Sequence, residues 1–462
     1  MATTGFLPLL LLLISYASCF QKGILSDFDS DGSGTCRSKS VDVHSFLSTR
    51  TPYRVVNGRL KYDTPPQCVA QQIWMTIRHG TRNPSKFVIE SMQNILPSLR
   101  DKIVKLHRDG EGKLCDSEAS NLLFWLPRLN ISEEKNLVAE GERELEGLGT
   151  RVFFNFPELL SHEENKFLNF RYTDTQRTLK SALHFTNGMF GSNDTSHVQY
   201  SKSPHKHDPL LRFYKSCEKW KTEIDDHPDT GMLHQLAFKN GSEFSELKSD
   251  VANRLGLQDN ALTILDIEIM YQTCAFESAW NENGTASPWC AVFSKENLQV
   301  LEYSSDLKYF WNDGYGYEIN HEQACPMIQD MLANFKNASR ATHHAKGVFY
   351  FTHSGALLKV LAHLGLYRDK EPLQHHNFDQ HKSSRLWRVG RIDSFAANLA
   401  AVLYSCESTP KVLFLHQEQP VVVKGCPSEA PYLCPLQQLE ELFPSCQFDQ
   451  ICKLPDSKDR SQ

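Results

Sequence analysis

The chain has 462 residues, of which 40% are hydrophobic and 23% are charged; this ordinary composition excludes a disordered or collagen-like protein. The formal net charge of −6 gives no basic surplus, so we expect no nucleic-acid partner. The length exceeds that of a typical single domain and predicts two lobes, or one domain with a large insertion.

The first 19 residues have the pattern of a cleaved signal peptide. An apolar run at 7–14 precedes Ala17-Ser18-Cys19, a small-residue pattern typical of a signal-peptidase site. The alternative, a membrane anchor, needs about 20 apolar residues, and we predict no transmembrane segment. We therefore expect a secreted protein or one in the secretory-pathway lumen: extracellular, endoplasmic reticulum or lysosome. Five N-glycosylation motifs agree with export: Asn130, Asn193, Asn240, Asn283 and Asn337.

The cysteines indicate the same compartment. Thirteen are present, and twelve remain if Cys19 is removed with the signal, an even number that predicts a disulfide framework. Cys426 with Cys434, and Cys274 with Cys290, are good local pairs, whereas the spacing leaves the other pairings open. Because no paired Cys-x-x-Cys units occur, we predict no zinc site.

The first of three similar segments joins a strand, a polar loop and a helix. An apolar strand at 73–77 is followed by the sequence Arg-His-Gly-Thr-Arg-Asn-Pro at 78–84. Apolar residues at helical spacing then extend from Val88 to Ile103. Pro97 is expected to bend or break this helix.

Two further segments repeat this order. Their strands lie at 167–172 and 348–351, and their loops contain Arg177 and the sequence Thr-His-Ser-Gly at 352–355. Repeated strand, loop and helix predict an α/β sheet that binds its ligand at the carboxyl ends of the strands. We therefore expect the three loops to meet in one crevice.

The remaining segments predict further helices and a few strands. Patterns with helical period lie at 136–154, 244–255 and 298–311. Short strands are predicted at 395–406, 411–415 and 421–423, the last two as a hairpin. The expected α/β architecture is a sheet domain flanked by helices, with an inserted α-helical cap, within one unit at 20–462. We place the sheet domain at about 60–86, 166–200 and 341–462, and the cap at about 87–165 and 201–340.

The residues of these loops suit a phosphate monoester. An arginine donates two parallel hydrogen bonds to phosphate oxygens, while a neutral imidazole presents a lone pair to phosphorus. His79 lies between Arg78 and Arg82, whose charges disfavour its protonation; Arg177, at a predicted helix start, adds a further phosphate ligand. A solvated turn would explain an isolated Arg-His pair, but the full motif after an apolar strand favours catalysis. We predict that His79 is transiently phosphorylated, without a metal or other cofactor.

The motif at 78–84 resembles the signature of the branched histidine acid phosphatase and phytase group. The resemblance extends to the multiple inositol polyphosphate phosphatases and covers the chain from about Tyr53 to near Cys452. It implies a histidine-phosphatase-like α/β domain with an α-helical cap. It also implies hydrolysis of phytate and lower inositol phosphates, with 2,3-bisphosphoglycerate as a further candidate substrate. The segments that carry it lie at 287–290, 301–303, 306–308, 314–320 and 369–373.

The same resemblance implies roles for individual residues. His79 and His353 are the implied catalytic residues, with His79 as the phosphate acceptor. The groups implied to bind the transferred phosphoryl group are Arg78, Arg82, Arg177 and His353. Further candidates to contact other substrate phosphates are Lys86 and Arg212. The implied disulfides are Cys68–Cys406 and Cys426–Cys434.

One position departs from the family. Its third loop contains His-Ala-Glu, or His-Asp in related enzymes, and the carboxylic acid protonates the leaving alkoxide. In this chain Gly355 stands in place of the glutamate, and the hydroxyl of Ser354 titrates too high to replace a carboxyl group directly. Three explanations follow: another carboxylate acts, a water or a neighbouring substrate phosphate delivers the proton, or the protein binds its ligand with little turnover.

These observations leave three candidate functions, each with an anionic small molecule as partner. The first is an exported inositol polyphosphate phosphatase that acts through a phosphohistidine. The others are a broad-specificity acid phosphatase and a catalytically impaired pseudophosphatase that binds inositol polyphosphates. The sequence leaves the oligomeric state open.

Overall fold

The computed structural model describes residues 36, 41–58, 65–161, 167–191, 198–203, 208–227, 229–341, 343–428 and 432–454. The predicted signal peptide at 1–19 and the glycosylation motif at Asn193 lie outside these residues. None of the described helices combines the length and the apolar character needed to cross a membrane.

The described strands form one mixed sheet in the spatial order β3-β2-β4-β1-β5-β6-β7, with β8 beside β6. The neighbours among β3, β2, β4 and β1 pair in parallel. The pairs β1–β5, β5–β6, β6–β7 and β6–β8 are antiparallel. The strands are β1 (Cys68–Arg78), β2 (Leu168–Tyr172), β3 (Tyr200–Lys202), β4 (Gly347–Thr352), β5 (Asn398–Cys406), β6 (Thr409–His416), β7 (Gln419–Val421) and β8 (Leu433–Pro435).

Helices make up most of the remaining described chain. They are α1 (Tyr53–Val56), α2 (Lys86–Arg108), α3 (Asp116–Leu123), α4 (Ala139–Asn155), α5 (Pro157–Leu160), α6 (Gln176–Phe190), α7 (Glu218–Trp220), α8 (Leu233–Lys239), α9 (Ser242–Arg254), α10 (Ile264–Trp280), α11 (Lys295–Asp313), α12 (Glu318–Glu322), α13 (Cys325–Arg340), α14 (Ser354–His363), α15 (Phe378–His381), α16 (Val389–Ile392), α17 (Leu436–Leu442) and α18 (Phe448–Cys452). A π-helical turn, Lys221–Asp225, follows α7, and 3₁₀ turns lie at Val43–Phe46, Ser48–Arg50, Ile131–Glu133, Phe213–Lys215 and Pro288–Val292.

The α/β prediction is confirmed, and two local expectations need correction. Helix α2 is not broken at Pro97, because residues on both sides of the proline, including Met92 and Ile103, pack into one core. Strand β5 begins at Asn398 rather than 395, since Ala396 has a left-handed φ of 54° that interrupts an extended chain. The predicted final hairpin is present as β6 and β7.

Helices cover both faces of the sheet and also form a separate core. Alternate residues of β1 face opposite ways: Ile73 and Met75 pack against α4, α5 and α6, and Trp74 packs with α13, α14 and α17. The third core joins α2, α9, α10 and α11 away from the sheet. The boundaries between a sheet domain and a cap remain a prediction. Helices α4 and α5 belong to the range 87–165, which we predicted as part of the cap, and they pack against the sheet.

Disulfides connect distant parts of the chain. The two local pairs expected from spacing and the Cys68–Cys406 pair implied by the resemblance are all formed. Within the described residues, one set of metal-ligating side chains lies close together, Cys36, Cys115 and Glu118, but its two cysteines are bonded to each other. The further pairs are Cys217–Cys452 and Cys325–Cys446.

Candidate active site

Three loops meet at the carboxyl ends of the parallel strands β1, β2 and β4. The strand register aligns the last residues of the three strands. Backbone hydrogen bonds continue the alignment into the loops: His79 N–H donates to the Thr352 carbonyl (3.1 Å), and Thr173 N–H donates to the Phe351 carbonyl (3.1 Å). The sheet thereby brings together the three loops that the sequence predicted to share a crevice.

The buried ring of His79 is held as one neutral tautomer. Its Nδ1 lies 2.9 Å from the Gly80 carbonyl oxygen; because a carbonyl only accepts, Nδ1 carries the proton and Nε2 keeps a free lone pair. Burial, followed by the charges of Arg177 and Arg78, holds the pKa of His79 well below its ordinary value. Nε2 therefore stays unprotonated, as a nucleophile requires, even in mildly acidic solution.

The second histidine, His353, faces the first. The two ring centroids are 5.6 Å apart. Arg177 Nη2 lies 3.4 Å from His353 Nδ1, and because a guanidinium only donates, Nδ1 is the acceptor and Nε2–H donates to Thr173 Oγ1 at 2.9 Å. Burial and the charges of Arg177 and Arg212 hold the pKa of His353 well below its ordinary value.

Arg78 is fixed behind His79. Its Nη1 donates to the carbonyl oxygens of Thr49 (2.8 Å) and Asp393 (2.5 Å). Its guanidinium lies 4.9 Å from the centroid of the Phe395 ring, a cation–π contact. These contacts preorganise one positive charge next to the imidazole.

Arg82 and Arg177 add charge that the protein compensates poorly. Burial, followed by neighbouring arginines, lowers the pKa of Arg82 to about 9 and that of Arg177 to about 10. Arg177 lies in the first turn of α6 and His353 precedes the first turn of α14, so the partial positive charges of two helix N-termini point into the same region. A phosphate dianion would relieve this accumulation of positive charge.

Arg50 belongs to this cluster although the sequence interpretation missed it. Its guanidinium lies 5.3 Å from the Phe276 ring centroid, and Arg82 lies 5.8 Å from the same centroid. Burial, and among charges Arg78, lower the pKa of Arg50. The sequence contains no signal for this role, because Arg50 lies in a short 3₁₀ turn that is distant in sequence from the three predicted loops.

The two further candidates for substrate contact lie in different surroundings. Arg212 is half-buried, and its charge lowers the pKa of both Arg177 and His353, which places it beside the cluster. Lys86 is exposed at the start of α2, with its Nζ 3.8 Å from Glu90 Oε1. The charge of Arg212 therefore acts on the cluster, whereas Lys86 lies at the surface.

The loop that departs from the family has two carboxyl groups as neighbours. Ser354 Oγ donates a hydrogen bond to Asp393 Oδ2. A Cβ atom at Gly355 would lie 3.2 Å from Asp313 Oδ1. Burial raises the pKa of Asp393 to about 7. Neither aspartate could be assigned to the site from the sequence, because both come from segments distant from 352–355.

A buried glutamate supports the loop that follows β1. Glu144 Oε2 accepts from Thr81 N–H at 2.7 Å, and Oε1 accepts from Tyr53 N–H at 2.7 Å. Burial raises the pKa of Glu144 to about 7. Helix α4 thereby holds the backbone next to His79.

The sequence is similar to known phosphatases over most of its length. Residues 71–417 match the family described as histidine phosphatase superfamily (branch 2). Multiple inositol polyphosphate phosphatase 1 of Drosophila melanogaster is 34% identical over 394 residues, which cover 82% of this chain and 81% of that protein. The Homo sapiens protein of the same name is 30% identical over 408 residues, covering 84% and 82%.

Solved structures share the fold. The phytase from D. castellii superposes with a TM-score of 0.74 at 17% identity, covering 94% of this chain and 92% of that structure. The multiple inositol polyphosphate phosphatase of Bifidobacterium longum, in complex with inositol hexasulfate, has a TM-score of 0.66 at 14% identity, covering 87% and 98%. At these identities the likeness establishes the architecture.

Proposed function

Because this chain belongs to the histidine phosphatase superfamily (branch 2), we propose that it removes phosphates from inositol polyphosphates through a phosphohistidine on His79. One observation carries the proposal. The free Nε2 of a neutral, buried imidazole lies among arginines that lack sufficient counter-charge. This arrangement both attracts a phosphate dianion and presents a nucleophile to phosphorus.

In the first step His79 Nε2 attacks phosphorus. The Nε2–P bond forms as the P–O bond to the inositol oxygen breaks, and the leaving oxygen takes a proton from an acid of the site or from water. The Nδ1–H···O bond to Gly80 (2.9 Å) stabilises the positive charge that develops on the ring. Arg78, Arg82 and Arg177 hold the phosphoryl oxygens. His353 donates to them as well once its Nδ1 exchanges the contact with Arg177 for a proton, a change that the charge of the phosphate dianion favours.

In the second step water attacks the phosphohistidine. The P–N bond breaks, inorganic phosphate leaves, and Nε2 recovers its lone pair. The same arginines stabilise both transition states, since both place negative charge on the equatorial oxygens. None of the groups invoked in these steps is a cofactor.

The charges beyond the phosphoryl site support a substrate with several phosphates. Arg50 lines a cavity together with Lys308 and Tyr309, and Arg212 adds a further charge near Arg177 and His353. Several cations at different positions suit a polyphosphorylated ring better than a small monoester. The names of the relatives that are 30–34% identical support the same substrate class, with 2,3-bisphosphoglycerate as a second substrate to test.

A binding protein with little turnover is the second candidate. It is favoured by one observation, the absence of a carboxyl group at Gly355. Such a protein would keep the arginine cluster and its affinity for polyphosphates, and it would lose most of the chemical step, which a general acid accelerates by about 10²–10⁴.

We also propose that the protein works in the secretory pathway. The six disulfides among the described residues support an oxidising compartment. Four predicted glycosylation sites have exposed side chains, as acceptor asparagines require: Asn130, Asn240, Asn283 and Asn337.

Covalent labelling tests the proposed reaction. The enzyme is mixed with radiolabelled inositol hexakisphosphate and quenched in alkaline denaturant, because phosphohistidine survives base and hydrolyses in acid. The expected result is label on His79 together with steady release of phosphate. A His79→Ala variant should form no labelled protein and should turn over at less than about 10⁻³ of the parent rate.

A His184→Ala variant is the matched control, since His184 lies on α6 and contacts Glu142 and Glu146 away from the cluster. It should label normally. Parent protein that retains inositol hexakisphosphate at equilibrium without covalent label or phosphate release would contradict the enzymatic proposal and support the binding protein. Parent protein that hydrolyses p-nitrophenyl phosphate far better than inositol hexakisphosphate would contradict the substrate assignment.

A further inference from the structure

The loop that lacks the family's acid contains a hydroxyl with an unusual partner. Ser354 is the first residue of α14 and is partly exposed. It follows His353, whose ring faces His79, so its backbone lies at the edge of the phosphoryl site. Its Oγ donates to Asp393, a side chain with no solvent exposure. A hydroxyl at the site is therefore connected directly to a buried carboxyl group.

Asp393 has few other contacts. It caps the carboxyl end of α16, and its Oδ2 lies 3.5 Å from Arg78 Nη1. Its Oδ1 is buried without a hydrogen-bond partner among the described residues. A buried carboxylate with an unpaired oxygen is costly, whereas the neutral acid is less costly to bury. An acid protonated on Oδ2 donates to Ser354 Oγ, which reverses the hydrogen bond and leaves the hydroxyl proton of Ser354 for another acceptor. The surroundings favour a group that exchanges a proton.

We propose that Asp393 and Ser354 act together as the general acid that the loop otherwise lacks: Asp393 supplies the proton, and the Ser354 hydroxyl passes it to the leaving oxygen. This inference rests on the proposed function. Ser354 is then the catalytic residue, because it touches the substrate, and Asp393 acts through it.

The proton transfers balance in both steps. As the P–O bond breaks, its electron pair stays on the inositol oxygen, which takes the hydroxyl proton of Ser354, while Ser354 Oγ takes the carboxyl proton of Asp393. Asp393 is left as a carboxylate. In the second step the attacking water gives a proton to Ser354, and Ser354 returns one to Asp393, so the enzyme is restored.

Asp313 is the competing carboxyl group, and its contacts argue against it. Its Oδ1 lies 2.8 Å from the Nζ of Lys359, a fully buried lysine. An ion pair of this kind stabilises the carboxylate and would leave the lysine charge uncompensated if Asp313 were protonated. Asp313 is therefore suited to hold Lys359 rather than to donate a proton.

The charges around Asp393 define an expected pH dependence. The groups facing it are Arg78 from β1, which lowers its pKa, and Asp313 from α11, which raises it; burial is the largest cause, and the pKa is raised to about 7. The acid form is thus populated below pH 7 and lost above it. Hydrolysis that needs this proton should decline as the pH rises through about 7.

The leaving group provides the test. An alkyl phosphate such as β-glycerophosphate needs a proton on its leaving oxygen, whereas 2,4-dinitrophenyl phosphate leaves as a stable anion. Asp393→Asn and Ser354→Ala should each lower the single-turnover rate of His79 phosphorylation by β-glycerophosphate by about 10²-fold, and change that rate with 2,4-dinitrophenyl phosphate by less than about threefold. Because the same groups accept the proton of water in the second step, both variants should also release phosphate from labelled His79 more slowly, whichever substrate supplied the label. Both variants should also lose the decline near pH 7 on the alkyl substrate.

Three comparisons separate proton transfer from structural effects. Ser354→Ala leaves the contact between Asp393 and Arg78 intact. An equal loss of the phosphorylation rate on both substrates, seen in Asp393→Asn alone, would therefore mean that Asp393 only positions Arg78, and would overturn the inference. Ser354→Thr keeps the hydroxyl and should retain most activity. A leaving-group-selective loss in Asp313→Asn, with Asp393→Asn unaffected, would transfer the role to Asp313.

Failure of this inference is distinguishable from failure of the proposed function. If the parent protein forms no labelled His79 with 2,4-dinitrophenyl phosphate, whose cleavage needs no acid, the proposed function fails. If the parent forms labelled His79 and both variants hydrolyse β-glycerophosphate at the parent rate, the proposed function stands and the inference is overturned.

Discussion

At the scale of single residues, the arginine cluster combines binding power with a cost in stability. Arg50, Arg82 and Arg177 are half-buried, and desolvation together with neighbouring arginines lowers the pKa of each. The same charges attract phosphate most strongly when they are poorly compensated within the protein. Binding sites of this kind are preorganised for the ligand rather than for the stability of the free protein.

Arg50→Met tests this trade-off. Because Arg50 has no hydrogen-bond acceptor for its side chain among the described residues, removing its charge should stabilise the ligand-free protein by about 1 kcal/mol. It should also weaken competitive inhibition by inorganic phosphate about tenfold, since a charged hydrogen bond contributes about 1.5–3 kcal/mol. Thermal unfolding with and without phosphate, together with inhibition constants, measures both effects.

Arg54→Met is the control for Arg50→Met. Arg54 Nη2 donates to the carbonyl oxygens of Ser278 (3.0 Å) and Asn281 (2.9 Å), and it pairs with Glu140. This variant should lower the melting temperature and leave phosphate inhibition unchanged. Loss of stability in Arg50→Met with normal phosphate inhibition would show that Arg50 is a structural residue.

At the scale of elements, the loops of the site depend on how closely α4 and α6 pack beneath them. Helix α4 holds the loop after β1 through Glu144, and α6 begins with the turn that contains Arg177. Glycines make the approach possible: a Cβ at Gly149 would lie 2.0 Å from the Phe185 carbonyl oxygen, and one at Gly188 would lie 1.9 Å from the Glu146 carbonyl oxygen. The two backbones are therefore in direct contact.

Gly149→Ala should separate these helices. The added methyl group meets backbone rather than a flexible side chain, so we expect a loss of about 1–3 kcal/mol in the free energy of unfolding and a reduced kcat from displaced loops. Gly147→Ala, two residues away, would meet only Arg151 Nη1 at 3.1 Å; it should stabilise α4 by up to about 1 kcal/mol. Denaturant unfolding of both variants measures the difference, and equal effects would refute the close-packing explanation.

At the scale of the whole molecule, disulfides tie the ends of the fold to its interior. Cys217–Cys452 joins residues 235 positions apart and anchors α18 beside α7, whereas Cys426–Cys434 closes a loop with a separation of 8. Cys68–Cys406 links paired positions of β1 and β5. Long links of this kind restrict the unfolded chain most.

Removal of the two bonds should therefore have unequal effects. Replacing both Cys217 and Cys452 by alanine should cost about 5 kcal/mol, and replacing both Cys426 and Cys434 about 2.5 kcal/mol, from the entropy of loop closure. Equilibrium unfolding in guanidinium chloride under oxidising conditions provides the measurement. A larger loss for the short loop would mean that local packing, and not chain entropy, determines the contribution of each bond.

The α/β sheet, its central strands and the loops that carry His79, Arg177 and His353 could be predicted from the sequence, because strand period, helix period and polar loops are local signals. Which distant groups join these loops depends on the three-dimensional packing. Arg50 belongs to a short 3₁₀ turn and Asp393 lies at the carboxyl end of α16. Neither segment has a hydrophobic period or a motif that would identify it as part of the site. The local pattern of apolar residues predicts which face of a helix or strand is buried. Contacts between elements far apart in sequence, such as that of Ser354 with Asp393, depend on the packing of the whole chain.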